Sequence, residues 1–188
     1  MTSELSLRLL ERTEAPVTAH KGYVCLDFDT RTMDNRGTKK EAVSRTYRGF
    51  DGYTPIAAYL GNEGWNIGLE LRPGKQHSAL ETETFLERIF PRVERLAAAG
   101  VKVLSRSDSG FDSVCLWFAH GHERDRMAAL GRGFDYIVKG NPRRQDKPGW
   151  VARAIAATPS GKRVRAGGKH CSVWTLDVPG GKSTEPSA

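Results

Sequence analysis

"LDFDTRT", residues 26–32, closes a run of strand-forming residues with two carboxylates, Asp27 and Asp29. The apolar and aromatic content of residues 23–29 predicts a β-strand that is buried on at least one face. Side chains two positions apart on a strand share a face, so the two carboxylates project together while Leu26 and Phe28 enter the opposite layer. Like charges this close together are costly unless cations compensate them. The stretch therefore predicts a cation site at the end of this strand.

A third carboxylate, Asp108, follows a second strand-like run in "VLSRSDSGF", residues 103–111. Binding sites in open α/β sheets form outside the carboxyl ends of strands, where Asp29 and Asp108 both lie. Clusters of carboxylate oxygens suit Mg²⁺ or Mn²⁺, and two such ions can activate a water or 3′-hydroxyl in phosphoryl transfer. A purely structural alternative stays open, because Asp-Ser-Gly is ordinary turn chemistry.

The order of predicted elements favours an α/β fold with a mixed sheet, in which a three-strand meander precedes α/β crossovers. The polar stretch 31–53 is predicted as a long loop, and Pro91 is expected to kink or split the first long helix. The predicted strands are 23–29, 53–60, 65–72, 101–106 and 134–140, and the predicted helices are 80–99, 112–120 and 123–131.

The net charge of +7 is concentrated in one segment. Residues 143–169 carry eight basic residues and one acid, which favours a polyanion such as DNA as the partner, although a solubilising surface or a basic tail is the alternative. The chain has no apolar run of about 18 residues, no secretory signal at its start and no CxxC pair, so the sequence predicts a cytoplasmic, nucleoid-associated protein without membrane contact.

Five stretches together resemble the catalytic domain of bacterial insertion-sequence transposases of the DDE type, which have a ribonuclease H-like fold. The resemblance covers roughly residues 22–145, with 1–21 as a lead-in segment. Residues 146–188 are expected to form a basic segment, the start of a β-rich insertion and a disordered tail. The matching stretches are "LDFDTRT", "YRGFDGYTPIAAYLG", "GLELRPGKQHSALETETFLERIFPRV", "VLSRSDSGF" and "FDYIVKGNP".

The resemblance implies Mg²⁺- or Mn²⁺-dependent cleavage and strand transfer at transposon ends. It implies Asp29 as the first catalytic and metal-binding acid, with Asp27 as a close rival or helper, and Asp108 as the second. The family's third acid is a glutamate on a late helix, and no acid here matches it. We therefore expect a middle piece of a longer transposase with little or no activity alone. A homodimer of the full-length protein stays open.

Basic residues near these motifs are candidate DNA contacts. Arg72 and Arg106 can hold phosphates or pair with carboxylates, and Lys139 ends the last predicted strand. The candidates in the basic segment are Arg143, Arg144, Lys147, Lys162, Arg163 and Arg165.

Two other functions remain open from the sequence. The first is a DNA-binding remnant or regulator without catalysis. The second is a complete ribonuclease H-like nuclease, whose site would need Asp112 or Asp135 as a closing acid. For Asp112, a favourable interaction with a helix N-terminus is the structural alternative.

Overall fold

A computed structural model describes residues 2–141, 146–157, 161–164 and 170–173. The chain divides into two compact units, 1–141 and 142–188. The first unit contains α1 (Thr2–Arg12), β1 (Tyr23–Thr30), β2 (Met33–Asp34), β3 (Ser44–Arg45), β4 (Asp51–Tyr53), β5 (Ile56–Leu60), β6 (Trp65–Glu70), α2 (Thr82–Leu96), β7 (Lys102–Ser107), a 3₁₀ turn (Ser109–Phe111), α3 (Val114–Ala129) and β8 (Phe134–Val138).

A five-stranded sheet in the order β6-β5-β1-β7-β8 forms the centre of this unit. The meander β1-β5-β6 is antiparallel, whereas β1, β7 and β8 run parallel to one another. The helices α2 and α3 supply the connections that parallel neighbours require. This is the ribonuclease H-like fold, and the predicted fold class is confirmed.

One face of the sheet carries the hydrophobic core. Leu26 and Phe28 of β1 are buried there, as is the apolar stripe of α2, whose members Phe85, Ile89 and Val93 recur at helical spacing. The opposite face of β1 presents Cys25 and the two aspartates, as strand alternation requires. The carboxylates therefore project from the face of β1 opposite Leu26 and Phe28.

A histidine is buried within the same core. His120 of α3 is 1% exposed and stacks among aromatic rings that include Phe28 and Tyr136. Its Nδ1 lies 2.7 Å from the Leu116 carbonyl oxygen, and its Nε2 lies 3.0 Å from Ser105 Oγ. Burial lowers the pKa of His120, so the ring is neutral and ties α3 to β7.

Three local predictions were wrong. Residues 31–53 are not a simple loop, since β2, β4 and β3 form a small antiparallel sheet within them. Residues 114–129 form one continuous helix rather than two. The helix α2 continues through Pro91, so the predicted split is wrong, and a kink there stays a prediction. Pro91 and Glu87, whose carbonyl loses its helical donor, both lie on the exposed side of that helix.

The second unit contains α4 (Lys147–Ala156) and an antiparallel pair, β9 (Gly161–Val164) and β10 (His170–Val173). Asp146 caps α4 by accepting a hydrogen bond of 3.0 Å from the Gly149 N–H. The predicted disordered tail lies outside the described residues. Within the described part of the chain, no helix combines the length and the apolar character needed to cross a bilayer.

Candidate active site

The parallel pairing of β1 with β7 places Asp29 level with Asp108. The register joins Tyr23 to Lys102 and Asp27 to Arg106, and the same offset carried two residues further brings position 29 opposite position 108. Neighbouring strands lie about 4.8 Å apart. The two carboxylates predicted from separate motifs therefore meet at the carboxyl ends of adjacent central strands.

The turn after β7 orients the Asp108 side chain. Its Oδ1 accepts a hydrogen bond of 2.8 Å from the Gly110 N–H and caps the short 3₁₀ turn. A methyl group on Gly110 would lie 3.0 Å from Asp108 Oδ1 and 3.3 Å from Ser78 Oγ. Glycine at this position thus allows the turn to pack closely against Ser78 while one carboxylate oxygen is held by the backbone.

The pKa of Asp29 is raised above its ordinary value. Partial burial of the carboxylate is the main cause, and the negative charge of Asp108 adds to it, whereas a 2.7 Å hydrogen bond from the Thr30 N–H acts in the opposite direction. The two carboxylates are therefore close enough to repel each other. A nearby cation would relieve this repulsion.

Asp27 is neutralised by an arginine of the neighbouring strand. Arg106 Nε and Nη2 donate to the two carboxylate oxygens of Asp27 at 2.7 and 2.6 Å. These hydrogen bonds raise the pKa of Arg106. The geometry favours Asp29 over Asp27 as the acid free to bind a metal ion, and it gives Arg106 an ion-pair partner instead of a phosphate.

Ser78 connects the two strand ends. Its Oγ lies 2.8 Å from Thr30 Oγ1, next to Asp29, and it also faces Gly110 in the Asp108 turn. Sequence reasoning missed this residue, because Ser78 lies between the predicted strand 65–72 and the predicted helix 80–99, in a stretch without periodic pattern. The motif "RPGKQHSA" was its only sequence signal.

Arg72 holds the segment that carries Ser78. Its side chain is 2% exposed, and Nε donates to Glu70 Oε1 at 2.6 Å. Its other donors contact the start of α2. Their acceptors are the backbone carbonyls of Ser78, Leu80 and Glu81 and the hydroxyl of Thr82. A guanidinium so buried and satisfied cannot reach a DNA phosphate, so the interpretation of Arg72 as a DNA contact gives way to the structural ion pair.

The remaining candidate acids lie away from the Asp29–Asp108 pair or have other partners. Asp112 Oδ2 accepts a 2.5 Å hydrogen bond from the Asn141 N–H, which ties the loop after β8 to the Asp108 turn. Asp135 pairs with Leu104, early in β7 and far from its carboxyl end. Neither acid closes the site, which removes the basis for a ribonuclease H-like nuclease complete in these residues.

The other seven predicted DNA contacts divide into three groups. Lys139 is exposed directly after β8, and its N–H donates to the Ser107 carbonyl oxygen, so it lies beside Asp108. Lys147 is exposed at the start of α4. The side chains of Lys162 and Arg163 on β9, and all of Arg143, Arg144 and Arg165, lie outside the described parts of the chain.

The donor set fits a hard cation that retains water. Across the parts of the chain that the structure describes, no group of three His, Cys, Asp or Glu side chains could hold a metal ion. Asp29 and Asp108 form a pair, and Mg²⁺ in phosphoryl-transfer sites is commonly held by one or two carboxylates together with substrate phosphates and water. Two carboxylates at adjacent strand ends are compatible with such binding.

The sequence family described as transposase DDE domain, group 1, matches residues 2–120, more than half of the chain. The chain belongs to the DDE transposase family. This confirms the resemblance found in the sequence, and the matched segment of the transposase domain includes Asp27, Asp29 and Asp108. No curated protein matches the sequence.

Solved transposase structures show a distant similarity to this DDE transposase chain. A piggyBac transposase synaptic complex with hairpin DNA shares 9% identity at a TM-score of 0.33, covering 88% of this chain and 36% of the other. A Mos1 transposase paired-end complex with the left transposon end shares 13% identity at a TM-score of 0.35, covering 84% and 53%. The chain thus spans only about a third to a half of these structures.

Proposed function

We propose that this transposase domain performs Mg²⁺- or Mn²⁺-dependent cleavage and strand transfer of DNA at the ends of an insertion sequence. The observation that carries the proposal is the pairing of Asp29 with Asp108 at adjacent strand ends, with the pKa of Asp29 raised. Family membership supplies the reaction class, since the domain is a transposase domain.

The proposed roles follow from which oxygens are already engaged. Asp29 Oδ1 accepts from the Thr30 N–H and Asp108 Oδ1 accepts from the Gly110 N–H. Among the described residues, no hydrogen bond engages the second oxygen of either carboxylate, and these oxygens are the proposed metal ligands. A bound divalent ion would stabilise the charge that develops at the phosphate and activate the attacking oxygen.

Asp27 and Arg106 have a supporting role in this proposal. Their ion pair fixes the stretch of β1 and β7 directly before the two metal ligands. Because the pair is about half exposed, it is worth roughly 0–1 kcal/mol and mainly orients the strands.

We expect little or no DNA cleavage by this chain alone. The described residues offer two carboxylates, and the glutamate that the family uses as a third acid has no counterpart among them. With fewer ligands, the metal ion binds weakly and is positioned less firmly, and misplacement of about 1 Å can cost a hundredfold in rate.

Metal binding gives the most direct test. Titration with Mn²⁺, followed by electron paramagnetic resonance, should show weak binding that falls at least tenfold in Asp29→Asn and in Asp108→Asn. Asp135→Asn is the matched control, because Asp135 is an exposed carboxylate on the same sheet away from the site. Equal affinity in all four proteins would contradict the proposal.

A nicking assay on supercoiled plasmid, in Mg²⁺ or Mn²⁺, tests the catalytic part separately. Any nicking by the wild-type chain should disappear in Asp108→Asn. Robust nicking by wild type would show that a third acid is not needed, and nicking that survives Asp108→Asn would place the chemistry elsewhere.

DNA binding without catalysis is the second candidate function, favoured by the two-acid site. It predicts binding that weakens as salt rises and that persists in Asp29→Asn and Asp108→Asn, with no metal-dependent nicking in any variant. Loss of DNA binding in these two variants would contradict it.

A further inference from the structure

The small sheet β2-β4-β3 is rooted at the candidate active site. It leaves the central sheet after Thr30 and returns at Ile56, and these two residues pair with each other across β1 and β5. Asp29 directly precedes the point of departure. The base of the small sheet therefore lies next to the first of the two carboxylates, and its loops extend from there.

Hydrogen bonds and close packing fix the backbone of this small sheet. The Tyr53 hydroxyl donates to the Glu41 carbonyl oxygen at 2.7 Å, and Thr46 Oγ1 donates to the Phe50 carbonyl oxygen at 2.8 Å. Gly74 packs so closely that a methyl group there would overlap the carbonyl oxygens of Ser44 and Gly52. Side chains on the sheet are therefore presented from a fixed backbone.

The sheet and its loops carry a basic excess. Residues 31–53 contain six basic and three acidic residues. Arg36 pairs with Asp34, and Arg45 lies 3.7 Å from Asp51. The other four basic side chains are exposed and make no ion pair within the described part of the chain. They are Arg31, Lys39, Lys40 and Arg48.

Unpaired cations in the loops of a sheet whose base adjoins the acidic pair suit a polyanion that spans both regions. A cation site at Asp29 and Asp108 needs a phosphate to complete it, and the cations next to it would hold the phosphates further along the same strand. Arg48 also lies over the Tyr47 ring, with 5.8 Å between its guanidinium carbon and the ring centroid. The arrangement fits an extended phosphodiester backbone.

We propose that the small sheet of residues 31–53 binds the DNA backbone that flanks the phosphate at the active site, with Lys39, Lys40 and Arg48 as phosphate contacts. This rests on the proposed function, because it takes the DNA path to pass over Asp29. It places a DNA-binding surface within the family-matched domain, separate from the basic segment 143–169.

The test is DNA binding by the whole chain in EDTA, which removes any contribution from metal. The variant is the triple substitution Lys39→Gln, Lys40→Gln and Arg48→Gln, measured by fluorescence anisotropy with a labelled duplex between 50 and 200 mM salt. Each lost phosphate contact lowers the slope of log affinity against log salt by about 0.9. We expect the slope to fall by roughly 2–3 and the affinity at 0.1 M salt to drop on the order of a hundredfold.

A matched triple variant removes the same charge from exposed positions outside residues 31–53. It replaces Arg12, Lys21 and Lys102 with Gln, and Lys102 pairs with Tyr23 at the start of β1. All six positions are exposed, so both triples should keep the wild-type circular dichroism spectrum and melting temperature. Affinity in the control triple should change by less than about threefold, since net charge alone has a small effect.

Two results would overturn the inference. One is a triple variant at Lys39, Lys40 and Arg48 whose slope of log affinity against log salt equals that of wild type. The other is an equal loss of DNA affinity in this variant and in the control variant. Either result is distinct from failure of the proposed function, which is measured by Mn²⁺ binding at Asp29 and Asp108 and needs no DNA.

Discussion

Replacement of Arg72 by Met should destabilise the domain strongly, and it removes a buried charge that makes no contact with DNA. The guanidinium is buried and pairs with Glu70, and it satisfies three backbone carbonyls and one hydroxyl at the start of α2. Methionine fills a similar volume but donates no hydrogen bond. The carbonyls that close the turn before α2 would then lose their partners.

The size of the effect follows from these contacts. Glu70 is partly exposed and keeps Arg88 as a partner, so the main loss comes from the acceptors at the start of α2. Leaving several buried hydrogen-bonding groups unsatisfied costs about 3–5 kcal/mol in all. For a chain of this length, 1 kcal/mol corresponds to roughly 2–4 °C in melting temperature, so Arg72→Met should melt roughly 6–20 °C below wild type. Arg72→Lys retains the attraction to Glu70 but cannot reach all the carbonyls, and should lose roughly half as much.

Arg88→Met is the matched control for the Arg72 variants. Arg88 also pairs with Glu70 and also lies over the Phe85 ring, at 6.0 Å against 5.8 Å for Arg72, but its side chain is about half exposed. Its loss should cost less than about 1 kcal/mol. Urea denaturation followed by circular dichroism measures both variants. If Arg72→Met unfolds like Arg88→Met but binds DNA more weakly, the structural reasoning is refuted and the phosphate-contact interpretation of Arg72 stands.

Four further predictions test other parts of the site and fold. Asp29→Asn should raise the free energy of unfolding in EDTA, and the gain should grow as the pH rises above 3.8. The reason is that the pKa of Asp29 is raised in the folded state, so the ionised carboxylate disfavours folding. Urea denaturation at pH 3 and pH 7 measures the difference. Asp27→Asn should keep Mn²⁺ binding and cost less than about 1 kcal/mol, and a loss of affinity like that of Asp29→Asn would make Asp27 the metal ligand. The free energy of unfolding of wild type should fall from pH 7 to pH 5. The pKa of His120 is lowered in the folded state, so the unfolded chain binds a proton at this histidine near pH 6.5 while the folded chain does not. His120→Gln should flatten this pH dependence, and an unchanged pH dependence would contradict the prediction. Gly74→Ala should cost about 2–3 kcal/mol in thermal melts by forcing two backbone segments apart, whereas Gly121→Ala, with open space around it, should be neutral or slightly stabilising.

The sequence was most informative where a local pattern has one physical meaning. Alternation in 23–29 predicted both the strand and the shared face of Asp27 and Asp29, and the turn residues after Asp108 predicted the end of β7. The mixed sheet, with a meander followed by crossovers, followed from the alternation of strand and helix patterns. The order of the strands in space, which places β7 beside β1, came from the structure.

The sequence was least informative where contacts between distant segments decide the outcome. A choice between Asp27 and Asp29 needs the β1–β7 register, because only that register brings Arg106 to Asp27. The small sheet was missed because its strands have two or three residues each, too short for periodicity to register. The burial of Arg72 was equally invisible, since nothing local distinguishes a buried arginine from an exposed one.

Some motif residues of this domain carry the charges of the candidate site, and others hold those charged residues at a fixed separation. Asp29 and Asp108 repel each other, so their approach must be imposed by the parts around them. The turn after β6 contributes two residues, Arg72 and Gly74, that hold the surrounding segments in place. Arg72 holds the segment that brings Ser78 against Thr30, and Gly74 locks the small sheet onto the same turn. One short motif without a catalytic side chain thus places both the acidic pair and the basic surface beside it, and a change in Arg72 or Gly74 should disturb metal binding and DNA binding together.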